Sequence, residues 1–489
     1  MASALTRNAV DLPDDIFIMI FTTLKSHMPE HTWSASLTRK SSVWIYVTHV
    51  CRRWRQISLG CATLWAAVSS FQIHDQIRAY LGRSNGAPLD AFINLTGTKK
   101  FPATNSPSPN LSSIIILREL PRIRMLTVRI NGSSHYEVDE TLKPLFDQPT
   151  TLLQTLHLTT VIPCLKPISI FQRSHPALKS VQFVDCFMPW DCGIFQDLTI
   201  LRILRPNRQP DLSQYHTLLS SCPNLQELSL MDAGPDLTHT SRLLSKPILA
   251  LRYLRKLGIL MDAYQCMAFF ALLSLPTGVR FTIGCNRIPL NSPIIVIPKV
   301  LTAIPYPGDS FLSITVARNT LVVTQGLTPN TRSVMFDWAL GDSNSAAVFH
   351  LIATYMTECD WAVASVININ FRRCVYAGNM NMWIELLDVM PNAQNLNITV
   401  DSCSEHPENG LPEALASLRP SESGGATFAV PNLVRLALIN FDFSDASGVY
   451  GACFQSRHEI FPLSNLVLQN CKKFDMGLLE KFVGEVTVI

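Results

Sequence analysis

The chain has 489 residues, 47% hydrophobic and 16% charged, which is enough to bury several cores and too long for one ordinary compact domain. Lys and Arg number 40 against 37 Asp and Glu, a net charge of only +3, so no global asymmetry points to nucleic acid or to a membrane surface. The 13 cysteines are odd in number and form no C-x-x-C pair, which suits reduced, buried thiols better than a disulfide framework or a zinc module.

Residues 1–15 carry acidic side chains where a secretory signal would be apolar, and the longest apolar run, 259–275, is interrupted by Asp262 and Gln265. The expectation is an intracellular protein of cytoplasm or nucleus. The first predicted element is a helix beginning at Leu12-Pro13-Asp14-Asp15, with Pro at an early position and carboxylates facing the positive end of the dipole. It should run to about Lys25. Leu12, Ile16, Ile20 and Leu24 repeat every four residues, and Phe17, Met19 and Phe21 widen the stripe beyond what a short surface helix needs. Residues 26–42 are polar and read as a loop. A second amphipathic helix is expected over 43–55, where Val43, Val47, Val50, Cys51 and Trp54 share one face, and a third should carry Ile57 and Leu59 toward Leu64-Trp65. Taken alone, that face reads as core in preference to a partner contact, since apolar stripes at this spacing are usually packing.

The order Leu12-Pro13-x-x-Ile16, Ile20-Phe21-x-x-Leu24, Val50-Cys51-Arg52-Arg53-Trp54-Arg55 and Leu64-Trp65 resembles an F-box, in a lengthened form similar to the F-box-like domains common in fungal proteins. The resemblance covers residues 10–70. It implies docking on a Skp-type adaptor of a cullin–RING (SCF-type) ubiquitin ligase, with Leu12, Pro13, Ile16, Ile20, Val50, Cys51, Trp54 and Leu64 supplying the contact or its immediate support. Helix-in-groove docking requires a few large apolar anchors of this kind.

Residues 71–113 read as a linker and entry to the first repeat, with a loop-like joint over 98–113. Along the rest of the chain the pattern L-x-x-L-x-L-x-x-N/C recurs, for example at Leu178, Val181, Phe183 and Cys186, or at Leu463, Leu466, Leu468 and Cys471. Complete copies also begin at Ile123, Phe311 and Val366, and partial copies centre on Phe92, Leu156, Leu201, Leu228, Leu257, Val279, Val334, Ile398, Leu436 and Val486. The spacing averages about 28 residues, at the long end of the leucine-rich range. The expected fold class is α/β: a small three-helix module, then an irregular leucine-rich repeat solenoid over 114–489, a curved parallel sheet with helical return segments such as 212–221 and 383–390. Each closing Asn or Cys should bond buried backbone as the chain turns away. A Pro-, Ser- and Gly-rich insertion is expected at 402–428.

No common phosphate-loop, dinucleotide, zinc-protease or nucleophile-elbow signature occurs. His175, Cys186 and Cys192 match no zinc spacing, and Cys403 with His406 reads better as a repeat cysteine beside a loop than as a nucleophile pair. No cofactor or metal is expected. The functional surface should be the concave sheet face, where the residue between the two buried positions of each L-x-L points outward. Arg129, His157, Gln182, Arg202, Arg280 and Asn370 are its candidate substrate contacts. The arginines suit an acidic or phosphorylated ligand, and an ordinary solvated face reads equally well. The expectation is therefore a non-catalytic, substrate-recognition subunit of a ubiquitin ligase, partnered by adaptor, cullin and a protein substrate. The alternative is a repeat-based interaction scaffold whose helices only cap the array. An enzyme with active residues in the 402–428 insertion is a third reading.

Overall fold

Helix α1 (Asp14–Ser26) starts and stops where the capping residues expect, with Asp14 and Asp15 in its first turn and Lys25 in its last. Its core face is Phe17 and Phe21, both buried, whereas Met19, Ile20 and Leu24 remain exposed. The four-residue stripe from Leu12 to Leu24 is thus the flank of the helix and not its core. The structure, a computed structural model, describes residues 12–26, 43–96, 109–131, 150–161, 175–238, 247–276, 279–286, 311–317, 320–325, 332–337, 350, 352–354, 357, 364–373, 378–401, 403, 406–420, 426–443, 447–458 and 460–489. The expected loop at 26–42, apart from Ser26 at the end of α1, and most of the joint at 98–113 lie outside them. No described helix is long and apolar enough to cross a membrane. The chain divides into two compact units, Met1–Pro210 with Gln214–Leu225, and Asp211–Ser213 with Gln226–Ile489.

In the first unit the helix expected over 43–55 is broken. Val43–His49 is a 3-10 helix, Cys51 is extended, and α2 (Arg52–Gly60) begins afresh with the Cys51 sulfur accepting from the Trp54 N–H. The break turns Val50 and Cys51 out to solvent and Trp44 in, onto Trp65 and Tyr80. A short 3-10 turn (Ala62–Trp65) then leads into β1 (Ala67–Ser69), α3 (His74–Arg83), β2 (Leu89–Thr96) and α4 (Pro109–Leu117). Beyond these come β3 (Ile123–Asn131), β4 (Thr155–Thr160), β5 (Ser180–Val184) and β6 (Ile200–Leu204). β1 to β6 pair in sequence order and all in parallel. Leu126, Val128, Leu156, Leu158, Val181 and Phe183 are buried while the residues between them are half-exposed, the period-two alternation that the repeat pattern predicts. The copy centred on Phe92 is out of phase by one residue: Ala91 pairs with Leu126, so Phe92 stands beside Thr127 on the other face, stacked with Phe71. Helix α5 (Leu212–Ser220) follows β6 close to the expected place.

The second unit holds β7 (Glu227–Met231), β8 (Leu249–Ala250), β9 (Lys256–Asp262), α6 (Ala263–Phe270), β10 (Leu273–Ser274) and β11 (Arg280–Asn286). β12 (Phe311–Val316), β13 (Thr320–Gln325), β14 (Arg332–Asp337), β15 (Val366–Arg372), α7 (Met380–Asp388) and β16 (Asn395–Asp401) come next. It ends with α8 (Leu411–Ala416), β17 (Leu418–Pro420), β18 (Ala426–Phe428), β19 (Arg435–Ile439), α9 (Ser447–His458), β20 (Leu463–Gln469), α10 (Met476–Leu479) and β21 (Val483–Val488). The pairing runs β7–β9–β11–β14–β13–β12–β15–β16–β19–β20–β21. β13 alone is antiparallel to its neighbours, so β12, β13 and β14 form a meander inserted in reverse order. The repeat pattern gives no sign of β13. The described architecture is mixed α/β, the main strands of each unit forming a mostly parallel sheet.

Strand ends share one device. Asp185, Arg205, Asp232, Arg373, Asn440 and Asn470 each stand at or just past a strand end with positive φ. The N–H of Asp185, Asp232, Asn440 and Asn470 still bonds the neighbouring strand. The following Cys186 or Cys471 then turns inward and donates its thiol to Leu158 O or Leu438 O, at 3.5 and 3.2 Å. Asn and Asp adopt this left-handed conformation at least cost among non-glycine residues. The described residues of the expected 402–428 insertion are folded into the second unit. Among its described residues it forms α8 and the β17–β18 hairpin, fastened by Trp383 Nε1 to Pro407 O at 2.9 Å and by Gly378 N–H to His406 O at 3.0 Å.

Candidate functional site

The first candidate surface is built by α1, the Val43–His49 turn and α2. Trp54 sits over Phe17 and Phe21 with ring centroids 5.4 and 5.2 Å away, contacts each worth about 1 kcal/mol beyond burial. Arg53 ties the start of α2 to the start of α1: its Nη2 is 2.6 Å from Asp14 Oδ1 and donates to Leu12 O at 2.6 Å, with the guanidinium over Phe17. Lys25 Nζ reaches Thr63 O at 3.0 Å and closes the other end. Trp65 donates to Ser58 O at 2.8 Å and packs edge-on to Trp44 and Tyr80, with Arg83 over its ring. Burial pushes the Tyr80 hydroxyl up to about 12, with the Arg83 charge opposing it.

That framework leaves a specific set of apolar side chains unused. Ile20 is 37% exposed, Leu24 47%, Met19 57% and Val50 59%, and Tyr46 and Leu59 are exposed as well. Single exposed apolar residues are ordinary; six on three consecutive short elements are not. Of the sequence-derived contacts, Pro13, Ile20, Val50 and Cys51 are exposed, Leu12 and Ile16 are half-buried, and Trp54 is half-buried against the phenylalanines. Leu64 is fully buried, which leaves it a supporting role. Met19, Leu24 and Tyr46 are absent from the sequence-derived set. Tyr46 becomes visible only once the helix is broken at Val50, because the break resets which residues share a face.

The second candidate surface is the outward face of the strands. In the first unit Thr127, His157, Gln182 and Arg202 stand opposite one another in register, with Arg129 exposed two residues on. In the second unit Asn370 stands between Thr315 and Thr399. Arg280 shares the outward face but pairs with Lys256; the position level with Gly258 is Thr282. Ala437 lies level with Asn397 and not with Thr399, so the expected row steps by two residues there. Among the described residues no group of three or more His, Cys, Asp and Glu side chains is placed to hold a metal ion. Cys403 donates to Phe371 O and Asp401 O, and His406 faces Glu408.

Compared with protein-family models and with curated proteins, the chain matches none.

Proposed function

We propose that the chain is the substrate-recognition subunit of a cullin–RING ubiquitin ligase, docking on a Skp-type adaptor through residues 12–65 and holding a protein substrate on the outward face of its leucine-rich repeats. One observation carries the docking half: Trp54 of the Val-Cys-Arg-x-Trp run packs on Phe17 and Phe21, Arg53 ties that run to Leu12, and this core leaves Ile20, Leu24 and Val50 in solvent. A helical module this small has little core of its own, and an exposed apolar flank fits a helix-in-groove partner. The repeat pattern and its parallel, in-register strands support the other half. Such a subunit makes and breaks no bonds; it acts by raising the effective concentration of substrate beside the ubiquitin-charged enzyme.

The test uses the exposed residues, because replacing Trp54 strips the core. Ile20→Asp with Val50→Asp should abolish co-purification of the adaptor from cells while leaving the melting profile of the chain in place. Undiminished adaptor binding by that folded double variant refutes the docking half. The packing of Trp44 and Trp65 on Tyr80 favours a second reading, a scaffold in which the module only caps the strands. That reading requires a pull-down containing no cullin subunit.

A further inference from the structure

The outward face of the second unit carries an unusual distribution of charge. The row from Ser229 in β7 runs through Thr282 in β11, Ser333 in β14, Asn368 in β15 and Asn397 in β16 to Thr487 in β21, with Gly, Thr, Ser, Ala or Val at every other position. None of these side chains is charged, and none is longer than Asn. The next row toward the strand ends is uncharged too. It begins with Met231, Leu260 and Met335 and continues with Thr315, Asn370 and Thr399. A side chain at Gly284 would collide with Leu260 Cδ1 and crowd Met335 Cε, so those two apolar chains lie across the glycine.

Charges are plentiful just outside this band. Glu227 and Lys256 form an ion pair at 3.3 Å on one side, Arg280 stands beside Lys256, and Arg435 and Glu485 flank Asn465. Within the band the neutral groups bond one another across strands: Thr324 Oγ1 to Ser333 Oγ at 3.5 Å, and Asn397 to Asn368. Short hydroxyl and amide side chains on neighbouring strands offer donors and acceptors at the strand spacing, and admit a backbone close to the sheet. A charged ligand group seated in the band meets no charge within it and would have to reach the flanking rows, with Lys256, Arg280 and Arg435 on one side and Arg372 and Asp401 on the other, for a partner.

We propose that the outward band of the second unit binds an extended, uncharged polypeptide segment, its backbone and polar side chains bonded by the Ser, Thr and Asn row and an apolar side chain seated on Leu260 and Met335. This deepens the reading of the repeat face as a substrate surface and rests on it. It moves the substrate class away from the acidic or phosphorylated ligand that Arg129, Arg202 and Arg280 suggest.

A phage-displayed library of random short peptides, selected on the full chain, tests it. Uncharged peptides carrying an aliphatic residue should be enriched, and their binding should be the same at low and high salt, since no counterions are released or screened. Thr282→Glu with Asn370→Glu, two outward positions that need no repacking, should weaken the selected peptides about tenfold or more, with an unchanged circular dichroism spectrum. Arg129→Glu with Arg202→Glu should leave them bound. Dominance of acidic or basic peptides overturns the proposal, as do equal binding to the Thr282/Asn370 variant and an absence of any enrichment. Peptide selection involves no adaptor, so its failure leaves the docking reading untouched, and loss of docking leaves a peptide-binding face.

Discussion

Cys51 shows how one side chain sets the local architecture. As the N-cap of α2 it has an extended backbone, and its sulfur accepts from Trp54 N–H at 3.4 Å. A thiol is a weak acceptor, and the hydroxyl and carboxylate caps are the strong ones. Cys51→Ser should therefore hold or raise the stability of the helical module, and Cys51→Val should lower it by about 1 kcal/mol, both readable by urea denaturation followed through Trp fluorescence. Tyr80 makes the complementary case for burial. Its hydroxyl is raised from 10.0 to about 12 by desolvation, so the folded state keeps a proton that the unfolded state gives up between those values. Stability from this residue is complete below pH 10 and is lost as pH rises through the window. Tyr80→Phe should flatten that loss in a pH series of thermal melts; a slope identical to the parent chain counts against the assignment.

At the scale of elements, periodicity located nearly every main-sheet strand, because a buried L-x-L on a parallel sheet has no other way to satisfy its alternation. It also placed α1, whose dipole-facing charges mark both ends. It failed where a cap competed with a stripe: Val43 to Trp54 has helical spacing, yet Cys51 starts a new helix and expels Val50. It failed again at β2, where Phe92 is large and apolar but lies on the outward face under Phe71. The 402–428 insertion looked open because Pro, Ser and Gly dominate it, and the fastenings that order its described residues come from distant positions. Arg457, buried in α9, donates to Leu415 O at 3.0 Å and Val430 O at 2.9 Å and lies over Phe428. Gly410 has φ +81°, and a side chain there would strike the Met380 backbone. Gly410→Ala should cost about 1–3 kcal/mol, and Arg457→Met about 3 kcal/mol by stranding two buried carbonyls. Both are measured as shifts in the denaturant midpoint of the whole chain. A truly open insertion would tolerate either change.

For the whole molecule, the sequence disclosed two textures, helical and repetitive, and which residues turn outward on most of the strands it located, β2 excepted. It did not disclose register, and register decides the chemistry of the face: it sets Arg280 beside Lys256 and puts Thr282 in the neutral row. Single-chain patterns carry no information on which of two like-facing residues is level with a neighbour. The reversed meander has a further consequence, in the order of events during synthesis. Every other main-sheet strand of the second unit can dock on a neighbour already made, so the sheet can grow as the chain emerges. After β11 that growth stops, because its partner is β14, and β12 waits for β15. Residues 311–337 must close their own antiparallel hairpins first, a fast local step. They then join β11 through β14, while β12 at the other edge of the block is the template on which β15, and after it β16 to β21, can grow.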